Sequence, residues 1–157
     1  VSTVPETAIR VRALSELDLG DIVRIAERTR GAYQPGLWED RVTYYLRRDP
    51  EGSMVAESDG RVVGFMLGDV RAGEFGIEEP SGWIEVIGVD PDHGGRGVGR
   101  ALGEAMLEGF RARGVSRVRT MVDLSMPEVE RFFAALGFEP DSLRPFVRRL
   151  ADRGTES

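Results

Sequence analysis

A chain of 157 residues with 41% hydrophobic content is long enough to fill one substantial core and too short for a second complete domain. Its 27 acidic residues against 21 lysines and arginines give a formal charge of -6, which repels a polyphosphate backbone, and no zinc-finger spacing or basic-aromatic interleaving argues for nucleic acid. Cysteine is absent and His93 is the lone histidine, so disulfides, thiolate or histidine metal clusters and a cysteine nucleophile are excluded, and no metal is expected.

Val1 to Glu6 carries no basic segment leading into an apolar stretch, and no apolar run reaches the roughly 18 residues that span a bilayer. A cytoplasmic protein without a membrane segment is the expectation, as a single domain over 1–157 with its core over 8–150.

Ala8 to Arg12 alternates like a half-exposed strand, and Leu19, Ile22, Val23 and Ala26 then recur at helical spacing behind Asp18, a cap candidate. Leu37 to Arg48 reads as a second helix, ended by Asp49-Pro50-Glu51-Gly52. Ser53–Glu57 and Val62–Asp69 form a predicted hairpin, a loop occupies 72–82, and Trp83–Val89 is the clearest central strand. Val98, Leu102, Ala105, Met106, Gly109 and Phe110 trace one face of a long helix closed by Gly114. Ser116–Val122 is the next strand. Ser125-Met126-Pro127-Glu128 has capping-box spacing before a short helix that ends at Gly137, and 143–150 supplies a predicted final strand. Gly154–Ser157 reads as a frayed tail. The order predicts an α/β fold with a mixed sheet covered by helices.

Between the best strand and the best helix lie Gly94, Gly95, Arg96, Gly97, Val98, Gly99 and Arg100. Phosphates need converging backbone N–H groups, and missing Cβ atoms let the chain approach an anion closely. An ordinary glycine-rich connection has the same composition, so the letters alone leave both readings open. No Gly-Lys-Ser/Thr follows, and Gly-x-Gly-x-x-Gly is not completed, which removes the Walker and dinucleotide alternatives.

The stretch Val89 to Leu102 resembles the coenzyme A motif of the GNAT acetyltransferase superfamily, and Phe132-Phe133-Ala134-Ala135-Leu136-Gly137-Phe138 resembles its second signature. The resemblance implies a GNAT-type mixed sheet with a splayed strand pair at the acyl-CoA site. It implies acetyl transfer from acetyl-CoA to a primary amine in a ternary complex, the amine belonging to a peptide or protein N-terminus, a lysine or a small molecule. The pyrophosphate is expected on Gly94 through Arg100, and the pantetheine arm beside the main chain of Ile87, Gly88 and Val89. Where the family usually carries Arg or Gln, this chain has Gly94, a change that backbone binding tolerates. Homodimerisation through the terminal strands is compatible with the family.

Glu85 is the leading base candidate, in the middle of Trp83–Val89 and in one side-chain row with Trp83 and Ile87; a glutamate there could equally face solvent or pair with an arginine. Phe133 stands where the family commonly places an acidic Tyr, and it reads as a core residue beside the coenzyme. Either another group protonates the thiolate or it leaves unaided. Asp123 and Ser125 are weak candidates for orienting the amine. Met126 replaces a common Asn. Two polar features are thus missing together, and the alternative reading is a catalytically weakened acyl-CoA-binding regulatory module. The resemblance implies an acceptor wall from the first two helices and the 72–82 loop, here with Tyr33, Trp38, Tyr44 and Tyr45 and with Glu74, Glu78 and Glu79; the acids of residues 69–79 read either as solvated surface or as a draw for a cationic amine.

Overall fold

The computed structural model describes residues 8–152; the expectations for Val1–Glu6 and for Gly154–Ser157 lie outside them. Five strands form one sheet in chain order: β1 (Arg10–Ala13), β2 (Met54–Ser58), β3 (Arg61–Arg71), β4 (Ser81–Val89) and β5 (Val118–Thr120). Helices α1 (Leu19–Arg30) and α2 (Pro35–Arg48) intervene between β1 and β2, α3 (Val98–Ala112) connects β4 to β5, and α4 (Pro127–Ala135) follows. All neighbouring strands are antiparallel except β4 and β5, which α3 joins as a parallel crossover.

The β2–β3 hairpin turns through Asp59 and Gly60, with φ of 55° and 72°, the left-handed pair of a two-residue hairpin loop. Each face of the sheet carries its own core. Ile22, Ile25, Trp38, Val42, Phe65 and Leu67 join α1 and α2 to one face. Met66, Ile84, Leu102, Met106, Phe110 and Phe133 join α3 and α4 to the other. The helical periodicities of the sequence therefore point where they should, each apolar stripe meeting a β-branched or aromatic strand surface.

Three local expectations are corrected. Asp18 precedes α1 but makes no cap bond to it; its carboxylate accepts from Arg12 and from the amide of Ser15, which itself caps a short 3-10 turn. The capping box at Ser125–Glu128 does not form. Met126 occupies the cap position ahead of Pro127, while Ser125 donates through its amide and hydroxyl to Asp123 Oδ1 at 2.9 and 2.7 Å, because the shorter Asx-type loop satisfies it first. Residues 143–150 form no strand. A strand needs a hydrogen-bonding edge, and this segment lies exposed against none, with Phe146 92% and Val147 94% accessible.

Candidate active site

β4 and β5 pair only over Gly82–Ile84 and Val118–Thr120, so β4 continues from Glu85 to Val89 bonded to β3 alone. That parting of two parallel strands opens the sheet where Ile87, Gly88 and Val89 were expected to meet a coenzyme arm. At its end Asp90 turns the chain. Its buried carboxylate accepts from Arg24 at 2.8 Å and Arg28 at 2.5 Å, both from α1, and from the amide of Asp92 at 3.1 Å. Burial pushes the Asp90 carboxyl up, but those bonds and the arginine charges prevail and hold it below the usual range. The turn that follows is thus tied to α1 by ion pairs.

Gly95 and Gly97 take φ of 76° and 80°, which a side chain would strain, and both face open space. Gly97 immediately precedes α3, and no side chain caps that end. Among the described residues the amides of residues 95–100 make no well-formed hydrogen bond to a protein acceptor. Six successive N–H groups at an exposed helix start are the donors an anion needs, and these residues would hold a coenzyme pyrophosphate. Gly94 has φ of -61°, and a Cβ there would touch only the Pro91 carbonyl at 3.5 Å, so the position accepts glycine or a side chain alike.

Glu85 sits at an irregularity in the sheet. Leu67 pairs with Val86 and Gly68 with Ile84, leaving Glu85 as the extra residue of a β-bulge. Strict alternation fails there: Ile84 and Ile87 both pack toward α3, and Val86 toward α1 and α2. The expected row of Trp83, Glu85 and Ile87 is broken for this reason. The bulge leaves the Glu85 carboxylate on the α2 side, where Tyr45 donates to Oε2 and Arg71 to Oε1. Burial raises the Glu85 carboxyl, and the bonds from Tyr45 and Arg71 with the charges of Arg71 and Arg48 more than reverse that, so its pKa falls below the ordinary range. Burial first, and then the bond to Glu85, raise the Tyr45 phenol, which stays protonated.

Beside Glu85 opens a cavity of about 630 Å³ walled by Arg30, Asp40, Arg41, Tyr44, Tyr45 and Arg71 among others. Of the predicted acceptor residues, Tyr44 and Tyr45 line it and the others are elsewhere. Trp38 is 1% exposed and packs edge-on against Phe65 at 5.5 Å, a core residue beneath the pocket and not its wall, because the apolar face of α2 turns it onto the sheet. Tyr33 is largely exposed, and Glu74 and Glu78 do not line the cavity. The acidic stretch is also less free than its letters suggest: Asp69 is wholly buried between Arg48 and Arg71, and Glu79 accepts from Ser116 at 2.7 Å. Asp123 and Ser125 bond to each other on an exposed loop. Phe133 is buried between Phe132 and Phe138, with ring centroids 5.1 and 5.2 Å away.

Sequence reasoning placed Tyr45 in the helical wall without a role and missed Arg71, Arg30 and Arg41 as site residues. A signal existed for Arg41, Tyr45 and Arg48, which share a helical face at spacings of three and four. Nothing local marks Arg71 as the partner of Glu85.

The sequence profile of the Acetyltransferase (GNAT) family matches residues 19–138, a span that includes the parted strands and the glycine turn. The chain belongs to that family. Among its relatives is the mycothiol acetyltransferase of Thermobispora bispora, 41% identical over 101 residues, which make up 64% of this chain and 34% of that protein. The match to the mycothiol acetyltransferase of Thermobifida fusca is 39% over 95 residues, 58% of this chain and 29% of that protein. The match thus spans about a third of the length of these relatives. Ard1 from Thermoplasma volcanium superposes with a TM-score of 0.72 at 29% identity, over 86% of this chain and 85% of that one. The aminoglycoside N-acetyltransferase AAC(6')-Iy, solved in complex with CoA, shares the fold with a TM-score of 0.80 at 20% identity, over 95% of this chain and 100% of that one.

Proposed function

We propose that this chain transfers an acetyl group from acetyl-CoA to a primary amine, with both substrates bound together. The observation that carries the proposal is the run of amides over 95–100 without a well-formed protein hydrogen bond, in the turn that follows β4, the strand that carries Glu85. Bound there, acetyl-CoA supplies a thioester carbonyl as the electrophile and a thiolate as the leaving group. The cradle and the start of α3 hold the phosphates through N–H groups and the helix dipole, while Arg24 and Arg28 fix the turn through Asp90. The pocket beside β4 orients the amine, whose nitrogen forms the new C–N bond as the C–S bond breaks.

Glu85 takes the proton the amine sheds, directly or through a water. Its depressed pKa keeps it ionised at neutral pH, which suits attraction of an ammonium and makes it a weak base on its own, so a water relay fits it best. Phe133 has no proton to give. The thiolate therefore departs unprotonated and is neutralised from solvent. A small amine-bearing molecule, a lysine or a peptide terminus fits this chemistry, in a cytoplasmic setting where the donor is available. No described helix is long and apolar enough to cross a membrane.

The second reading, a coenzyme-binding module of weakened turnover, draws on Phe133 and on the engagement of Glu85 by Arg71 and Tyr45. Free-thiol release from acetyl-CoA against a library of amines and short peptides separates the two. Release that depends on an added amine supports transfer. Silence from protein that binds the coenzyme supports the module.

A further inference from the structure

The cavity beside Glu85 has another end, which acetyl transfer as described above does not use. Arg30, from the last turn of α1, and Arg41, from the middle of α2, both lie over the ring of Trp38, their guanidinium carbons 5.2 and 4.7 Å from its centroid. A ring face attracts a cation within about 6 Å, but two guanidiniums gathered on one ring repel each other. The surrounding arginines all have carboxylates: Arg24 and Arg28 hold Asp90, Arg48 holds Asp69, and Arg71 holds Asp69 and Glu85. Among the described residues Arg30 and Arg41 have none, and the polar contact of Arg30 is a long 3.5 Å approach to the Ile87 carbonyl. Burial, and then the charge of Arg41, push the Arg30 guanidinium below its usual range, though it remains a cation. Of the charged groups that line the cavity, Arg71 and Glu85 bond to each other, and Arg30, Arg41 and Asp40 form no ion pair among the described residues, which leaves two cations against one anion.

Resting on the reading that this pocket receives the amine, we propose that the acceptor also carries a carboxylate, which Arg30 and Arg41 bind while Glu85 receives the amine. Two planar guanidinium forks match a carboxylate in geometry and charge. An anion between them relieves the repulsion that the free protein carries. The cavity's roughly 630 Å³ falls within the range of small-ligand pockets, about 300–1,000 Å³. The acceptor class this selects is the amino acid or short peptide with a free terminal carboxylate, over diamines and polyamines. It also differs from the expectation drawn from the acidic loop: among the charges of the pocket lining without an ion pair, two arginines outnumber the single carboxylate of Asp40.

Matched pairs test this. Coenzyme A-loaded protein is titrated calorimetrically with lysine and cadaverine, phenylalanine and phenethylamine, and glycyl-phenylalanine and its C-terminal amide. The carboxylate-bearing member of at least one pair is expected to bind about tenfold tighter or more, in line with a charge-assisted hydrogen bond. Arg41→Gln is expected to erase that preference while coenzyme affinity stays unchanged. Arg41→Lys, which keeps the charge and the apolar stem over Trp38, is expected to retain part of it, and it serves where the Gln variant folds poorly. The proposal is overturned if the members lacking the carboxylate bind as well or better in every pair, if no member of any pair binds, or if Arg41→Gln weakens both members alike. Thiol release is read separately: a carboxylate preference without turnover leaves this inference standing and defeats only the transfer reading.

Discussion

The proposed donor turn and the proposed acceptor pocket differ in the material they are made of. The turn is backbone: amides 95–100 come from one continuous stretch, and its side chains matter mainly by being absent. The pocket is side chain: Glu85 from β4 is set by Tyr45 from α2 and Arg71 from β3, and its far end by Arg30 and Arg41 from α1 and α2. A site of the first kind is specified by neighbouring letters. A site of the second kind exists only once four elements have packed, and a substitution in any of them reaches it.

The comparison can be broken first beneath the pocket. Trp38→Ala should cost roughly 3–5 kcal/mol of stability, measured by denaturant unfolding, because a fully buried indole leaves a cavity between α2 and the sheet. A variant of full stability with a raised acceptor KM would return Trp38 to the pocket wall. On the donor side, Gly97→Glu puts a side chain at φ of 80°, a strain of roughly 1–3 kcal/mol, and adds a negative charge to an anion site. Coenzyme affinity should fall about a hundredfold in a folded protein, as read by calorimetry.

Glu85→Gln should lower turnover by about a hundredfold with coenzyme affinity unchanged, the lower end of general acid–base effects. Unchanged turnover would remove Glu85 from the chemistry. A finer test follows the Glu85 carboxyl by carbon-detected NMR. In the native protein it should titrate below the ordinary glutamate range, since the bonds from Tyr45 and Arg71 and the nearby arginine charges outweigh burial. The carboxylate therefore persists as pH falls until that lower value is passed. Arg71→Gln leaves burial less opposed and should move the titration upward, and Tyr45→Phe should do so by less. At the smallest end, Tyr33→Ala should change stability by no more than about 0.5 kcal/mol, the usual range for an exposed side chain.

The same division accounts for what the letters disclosed. The apolar stripe of α3, the strand Trp83–Val89 and the glycine turn are local patterns, and the structure places each within a residue or two of its expected bounds. The orientation of Glu85 was only half legible, since the bulge opposite Leu67 and Gly68 is a property of strand pairing. Charge read along residues 69–79 ignores partners brought from afar: Arg48 reaches Asp69, and Ser116 reaches Glu79. Ser125 had two local uses and took the nearer, with Asp123. Residues 143–150 have strand-like letters, yet no pairing edge meets them.

The most direct test of the division between donor turn and acceptor pocket is a titration of the isotopically labelled protein with coenzyme A, followed at the backbone amides. The account predicts that the largest shifts fall on residues 95–100 and along Ile87–Val89, with Arg41, Tyr44 and Tyr45 of α2 nearly unmoved. Shifts concentrated on α2, with the glycine turn silent, would contradict it.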